Sequence, residues 1–328
     1  MTDSAKKING LNKAVLFLVF NRPDVTEKVF SAIRRVKPPR LYVAADGPRL
    51  NRFGESDIVS KVRSIATAVD WPCEVKTLFR DENVGCRIAV SGAISWFFEH
   101  EQDGIILEDD CLPSESFFFF CEELLDQYHS DDRIMSICGT NIVPGLRIKE
   151  DYFFSNYALM WGWATWARAW RKYDADLAIW NLIDKREFLE NINLGGVFFS
   201  FVWMDLLERT RKNEIDTWDY QWIFSCWSNN GLTILPKKNL ISNIGFAPDA
   251  THTSGFDPYR DQLNIHEISW PLAAPLHFVA NKKVDNFLGR FWFHSTFGNA
   301  VKVFLLRFKI VNLLNNFKRS MLQGRHRN

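Results

Sequence analysis

Gly104-Ile-Ile-Leu-Glu-Asp-Asp-Cys-Leu-Pro113 joins a short apolar run to three consecutive acids. Ile105 to Leu107 form a short continuous apolar run, the signature of a strand buried on both faces. Three carboxylates follow in a row, Glu108, Asp109 and Asp110. Pro113 stops the strand, and Ser114 is placed to cap a helix that starts at Glu115 and runs through Phe117–Phe120. Acids crowded at the carboxyl end of a buried strand repel one another and lose hydration. A hard divalent cation, Mn2+ or Mg2+, offsets both costs because it prefers oxygen ligands. Alternation sends Glu108 and Asp110 to one side of the chain and Asp109 to the other, so a pair can face a ligand while the middle residue secures local backbone. Carboxyl ends of strands are also where open α/β sheets bind ligands. A solvated acidic turn is the competing reading of the same residues.

Upstream, the pattern repeats. Lys13–Phe20 reads as a buried strand ended by Asn21-Arg22-Pro23-Asp24, and Val25, Val29, Ile33 and Val36 recur at helical spacing. Pro38-Pro39 breaks that helix. Arg40–Ala45 is a second strand with Asp46-Gly47-Pro48 turning at its end. A helix from about Glu55 to Val69, a strand Cys73–Phe79 and a helix Cys86–His100 lead back to Gly104. This β-α-β-α-β-α-β run predicts a mostly parallel, doubly wound α/β sheet with right-handed crossovers. Its strand ends bring Asn21-Arg22, Asp46-Gly47 and Glu108–Asp110 to one edge. There, an Asp after a strand can accept from a base N–H or a ribose hydroxyl, and Arg22 or Arg87 can pair with phosphate. No G-x-G-x-x-G follows the first strand and no G-x-x-x-x-G-K-[ST] occurs, which argues against the usual nicotinamide and P-loop sites. A nucleotide held through a metal on its phosphates fits better.

Downstream, Arg133–Cys138 and Asp151–Tyr157 read as strands. In Trp161-Gly-Trp-Ala-Thr-Trp-Ala-Arg-Ala-Trp170, Gly162 marks tight backbone, and Trp163, Trp166 and Trp170 fall three and four apart, as on one helical face. Trp166 and Trp170 read as core; Trp161, before that helix, is the candidate pocket wall. Phe198–Asn213 is a predicted helix. The next, within Ile215–Ser228, is capped by Asp216 or Thr217 and carries Asp219 in its first turn. The helix dipole stabilises that carboxylate while apolar neighbours oppose its charge. A catalytic base and a plain capping acid are both open readings of Asp219. Leu232–Pro236 and Asn239–Ile241 read as short strands, and Asn243–Gly255 as a polar loop. His252 in that loop is a lone histidine, and such residues are more often structural than ligands.

Composition sets the outer bounds. The 328 residues are 47% hydrophobic and 15% aromatic, enough for a large core in one α/β domain or two. Thirteen Trp is a high count, and Trp suits stacking on flat bases and sugar rings. The formal charge of +1 gives no field for a polyanion, so no nucleic-acid partner is expected. The six Cys include no C-x-x-C pair and no zinc spacing, and the N-terminus has no apolar leader, so a cytoplasmic compartment is expected. From Lys282 to Asn328 there are ten Lys/Arg and one acid, Asp285. The aromatic-rich stretch Phe287–Lys318 within it can lie in the interface of an anionic membrane or pack on the rest of the chain with its basic face in water.

Taken as an ordered set, Leu18–Pro23, Ala45–Pro48, Asn83–Gly85, Ile106–Pro113, Trp161–Trp163, Thr217–Trp222, Asn243–Phe246 and Thr251–Thr253 resemble GT-A nucleotide-sugar glycosyltransferases. The nearest likeness is to bacterial relatives of the N-glycan GlcNAc transferase of type one. The resemblance implies a GT-A catalytic domain over 13–275, with a nucleotide-sugar-binding half at 13–140 and an acceptor half at 141–275. A basic helical extension over 276–328 completes the chain. It implies that Glu108-Asp109-Asp110 is a variant DXD motif with Asp110 the direct metal ligand, and that Asp46 and Arg22 meet the nucleotide. Asp219 takes the place of the acid that deprotonates the acceptor hydroxyl in inverting members; this chain has Asp219-Tyr220 where the eukaryotic motif has two adjacent acids. His252 takes the place of a late-loop group near the metal. The implied partners are a nucleotide-sugar donor, UDP-linked by resemblance, a glycan or lipid-linked saccharide acceptor, and the inner membrane face. A sugar nucleotidyltransferase and a non-catalytic carbohydrate-binding protein are the alternatives. The first usually opens on a Gly- and Lys-rich loop, which Asn21-Arg-Pro-Asp24 is not, and the second leaves the acid triplet unexplained.

Overall fold

The computed structural model describes residues 10–143, 145–192, 194, 196, 198–245, 263–296, 298–301 and 303. His252 and the chain from 304 to 328 lie outside the described residues, and with them the expected metal-side role of that histidine and the expected membrane contact of the tail. The chain divides into two compact units, one of 1–178 with 216–281 and one of 179–215 with 282–328.

The first unit is built on an eight-stranded mixed sheet. Strand β1 (Val15–Val19), helix α1 (Pro23–Val36), strand β2 (Arg40–Ala45), helix α2 (Glu55–Ala66), strand β3 (Glu74–Phe79), helix α3 (Cys86–Phe98) and strand β4 (Asp103–Glu108) follow in order. These four strands are parallel and stand in the order β3-β2-β1-β4. The apolar runs of β1, β2 and β4 are buried because both faces are covered, whereas β3, at the sheet edge, is polar and partly exposed. Val15, Phe17, Val43, Ile105 and Leu107 join one core cluster with α1 and α2 residues such as Val29, Ile33 and Val62. The predicted α/β sheet is thus observed, with the predicted elements shortened by a residue or more at several ends.

After β4 the chain makes a short strand β5 (Cys111–Pro113) and helix α4 (Glu115–Gln127). Ser114 caps α4 as its sequence position requires, its side-chain oxygen accepting the Phe117 N–H at 3.3 Å. Strands β6 (Ile134–Cys138), β7 (Tyr152–Ser155) and β8 (Trp163–Trp166), helices α5 (Ala167–Trp170) and α8 (Asp219–Ser228), and strands β9 (Leu232–Pro236) and β10 (Ile241–Asn243) complete this unit. Strand β8 lies antiparallel between β4 and β6, and β10 pairs antiparallel with β5.

The single tryptophan-rich helix expected from 163 to 170 is not formed. Trp163–Trp166 is strand β8, and only Ala167–Trp170 is helical. Spacings of three and four do not choose between helix and a strand followed by a turn of helix. The open edge of β4 does, because it needs a hydrogen-bonding partner. Pleating then sends Trp163 and Trp166 to opposite faces. Trp166 joins the cluster of α4 and donates its indole N–H to the Leu125 carbonyl at 3.1 Å. Trp163 instead stacks on Trp218, with centroids 5.6 Å apart and planes at 24°.

The second unit contains a 3-10 turn (Ile179–Asn181), helices α6 (Lys185–Ile192), α7 (Phe199–Arg211) and α9 (Lys282–Phe287), and a π-helical turn (Leu288–Trp292). Buried Trp180 and Trp203 anchor it. Trp180 donates to Glu208, which also pairs with Lys185, and Trp203 packs on Phe293. No helix among the described residues is long and apolar enough to cross a membrane.

Candidate active site

The parallel strands end at one edge of the sheet, and a cleft of about 360 Å³ opens there. Phe20, Asn21 and Arg22 after β1, Asp46 and Arg49 after β2, Arg80, Asn83 and Gly85 after β3, Cys86 on α3, Glu108 at the end of β4 with Asp109 after it, and Asp216 all line it. Convergence follows from topology: parallel strands put their carboxyl ends side by side.

The acid triplet divides its labour. Asp109 is 3% exposed, accepts the Phe20 N–H at 3.3 Å, and is paired with the Arg22 guanidinium. Arg22 Nη1 also reaches Asp110 Oδ2 at 3.0 Å, and the Cys111 thiol donates to Asp110 Oδ1 at 3.4 Å. Burial works against the Arg22 charge, but Asp109 and Asp110 outweigh it and hold the guanidinium firmly protonated. Glu108 is different. It lines the cleft, and no hydrogen bond or ion pair ties it among the described residues. Burial, then the charges of Asp110 and Asp109, raise its carboxyl well above the ordinary range; Arg22 pulls it down and Asp219 adds to the rise.

Asp46 organises a loop. Its carboxylate accepts the backbone N–H groups of Gly47 (2.9 Å), Val84 (3.1 Å) and Gly85 (3.2 Å), and the Asn83 amide at 2.9 Å. A carboxylate so saturated fixes the shape of the cleft wall. Glu55, 4% exposed in the first turn of α2, does the same for two other lining residues, Asn21 and Arg49. It accepts from Asn21 Nδ2 at 2.8 Å, the Arg49 N–H at 2.7 Å and the Arg49 guanidinium. Those Arg49 bonds outweigh burial and hold the Glu55 carboxyl down to about 2. A depressed carboxyl contributes stability above its unfolded value, and that contribution is lost as pH falls from about 4.5 toward about 2. Glu55→Gln therefore lowers stability at neutral pH by about 1–3 kcal/mol, and acid unfolding of the variant is less steep across that window than in the parent. Denaturant melts between pH 2 and 7 check this.

Arg80 is not singled out by its sequence, where Arg80-Asp-Glu-Asn reads as a charged turn. It lines the cleft half-buried, and among the described residues no carboxylate pairs with it. Arg87, a sequence candidate, pairs instead with Asp176 at 3.7 Å. The α3 N-terminus is capped from far along the chain, for Asp216 accepts the N–H groups of Cys86 (3.0 Å) and Arg87 (3.1 Å). Asp216 therefore serves α3 rather than α8, whose own N-cap, Trp218, makes no side-chain cap. Trp161 is half-buried against the core cluster, and its carbonyl accepts the Thr140 hydroxyl at 2.8 Å.

Asp219 stands in the first turn of α8, its Oδ1 accepting the Tyr220 N–H at 2.8 Å. Its charge is felt at Glu108 and at Cys86. The Cys86 thiol is pushed up by burial and then by Glu108, Asp216, Asp219 and Asp46, so it stays protonated. Of these carboxylates Glu108, Asp216 and Asp46 line the cleft, and Asp219 is not among its lining residues.

A divalent cation shared with a phosphate needs only one or two protein carboxylates. Glu108, open on the cleft, and Asp110 beside it supply hard oxygens of that kind. No three His, Cys, Asp or Glu side chains close into a cage among the described residues. The residues present therefore fit a cation completed by its ligand rather than one enclosed by protein.

No protein-family model and no curated protein matches the chain. Several solved structures do. UDP-glucose pyrophosphorylase complexed with UDP-glucose is 8% identical with a TM-score of 0.36, covering 71% of this chain and 94% of that one. GalNAc-T7 with UDP, GalNAc and Mn2+ is 12% identical with a TM-score of 0.42, over 70% of this chain and 43% of that one. The galactosyltransferase LgtC in complex with donor and acceptor sugar analogs is 13% identical with a TM-score of 0.33, over 79% and 85%. At these identities and scores the likeness decides no chemistry.

Proposed function

We propose that the chain is a glycosyltransferase. It moves a sugar from a nucleoside-diphosphate sugar, UDP-linked, to a hydroxyl of a glycan or lipid-linked saccharide at the inner membrane face. The observation that carries this reading is that one cleft holds a carboxyl and a guanidinium with no ion-pair partner among the described residues, Glu108 and Arg80. A diphosphate with its cation matches both.

Arg80 binds the diphosphate as a fork of donors. The loop held by Asp46 and the rim held by Glu55 give the nucleoside a fixed wall, which spares ordering cost on binding. Glu108 and Asp110 would hold Mn2+ or Mg2+, which supplies Lewis-acid neutralisation of the leaving diphosphate when bound. Asp219 takes the proton of the acceptor hydroxyl as that oxygen bonds to the anomeric carbon. The bond from that carbon to the diphosphate oxygen breaks, the diphosphate keeps the electron pair, and the anomeric centre inverts.

The rival nucleotidyltransferase needs a loop to wrap a triphosphate. Here β1 and α1 are joined by Phe20–Arg22 alone, and Asn21 and Arg22 are already engaged by Glu55, Asp109 and Asp110. Thermal shift against UDP-, GDP- and dTDP-sugars, with and without Mn2+, tests the proposal. A cognate donor at about 100 times its Kd stabilises by about 2.7 kcal/mol. Because the Glu108 carboxyl is raised, protons compete with the cation, so the Mn2+-dependent part of the shift grows from pH 6 to pH 8.5 and disappears in Glu108→Gln. Pyrophosphate release from an NTP, or no shift with any sugar nucleotide, overturns the transferase reading.

A further inference from the structure

Thr217 precedes α8, and its hydroxyl donates to Asp219 Oδ1, the oxygen that also receives the Tyr220 N–H. Threonine at a helix entrance ordinarily accepts a first-turn N–H. Thr217 is turned onto a carboxylate instead. It is itself held in place, because Gln221 Nε2 donates to the Thr217 carbonyl at 2.8 Å. The next residue is fixed as well: the Trp218 carbonyl accepts the Tyr173 hydroxyl at 3.2 Å, and its indole stacks on Trp163. The buried aromatic group of Trp163, Trp170, Trp218 and Trp222 therefore sets where the hydroxyl sits.

We propose that Thr217 is the positioning residue of this site, holding the Asp219 carboxylate in the plane from which it meets the acceptor hydroxyl. The proposal rests on Asp219 acting as the base. Two donors on one oxygen remove the rotation about the carboxyl torsion that a lone exposed aspartate keeps, which is the ordering a proton transfer requires. Neither donor can take up the proton, so Thr217 acts only through Asp219.

The test compares Thr217→Ala, Thr217→Ser and Asp219→Asn. UDP release from UDP-glucose and UDP-N-acetylglucosamine is one readout. Titration of the Asp219 carboxyl by carbon-13 NMR, with Asp219→Asn assigning the signal, is the other and needs no donor. Losing a donor to the charged form raises an acid. In Thr217→Ala the Asp219 midpoint rises by about 1 pH unit and kcat falls about 10-fold at unchanged donor KM, and Thr217→Ser restores both. An unmoved Asp219 midpoint in folded Thr217→Ala overturns the positioning role even if turnover falls. Wild-type turnover in Asp219→Asn overturns the base reading, and the inference with it, whatever the NMR result.

Discussion

Asp219→Asn lowers sugar-nucleotide turnover by about 10²–10⁴-fold, the usual weight of a general base, while donor binding and melting temperature stay close to the parent's. Asparagine keeps the shape of aspartate. Its amide oxygen still accepts from the Thr217 hydroxyl and the Tyr220 N–H, as the carboxylate does. The first turn of α8 is therefore undisturbed, and only the capacity to take a proton is gone. Single-turnover kinetics with the donor found by thermal shift measure the loss. A folded variant that turns over at the parental rate removes Asp219 from the chemistry and leaves it a helix-terminus acid.

Gly47→Ala deforms the wall of the cleft. A Cβ at Gly47 would sit 2.3 Å from the Glu82 carbonyl carbon and 2.5 Å from the Glu82 nitrogen and oxygen. These are backbone atoms, so no rotamer change relieves the clash, and the loop that Asp46 holds must move. The expected cost is about 3 kcal/mol, the upper end for overpacking, seen as a fall in Tm of roughly 5–10 °C. The nucleotide-sugar thermal shift vanishes with it. Gly54→Ala is the control: Gly54 has a φ of 77° but nothing within 4 Å of the added atom. It costs only the left-handed strain of about 1–2 kcal/mol and spares binding. Equal losses of ligand response in the two variants would show that loop position does not matter to the cleft.

Much of the parallel half is legible in the residues alone. Apolar runs bounded by proline and glycine locate β1, β2 and β4, and Ser114 announces α4, because those signals are local. What stays hidden is what distant chain decides. Trp163–Trp166 is a strand because β4 needs a partner on that side, and nothing within the tryptophan run encodes that need. Asp216 reads as the cap of the helix it precedes, yet its carboxylate serves α3. Arg80 is lost in a polar run. Its significance is the absence of a paired carboxylate among the described residues, a property no single stretch displays. The acid triplet stands out as a motif, but its arrangement does not. Glu108 is open on the cleft while Asp110, the expected ligand, is shared with Arg22.

Asp216 lies 130 positions beyond Cys86, whose N–H it accepts. During synthesis the ribosome must therefore extend the polypeptide well past β4 before α3 can be completed at its leading end. Until then its first-turn amides are left to water, and the floor of the cleft stays soft. A nascent chain could lay down β1 to β4 early and still be unable to grip a nucleotide. The finished cleft then arrives in the same step as the segment that carries Asp219, the residue proposed above as the base.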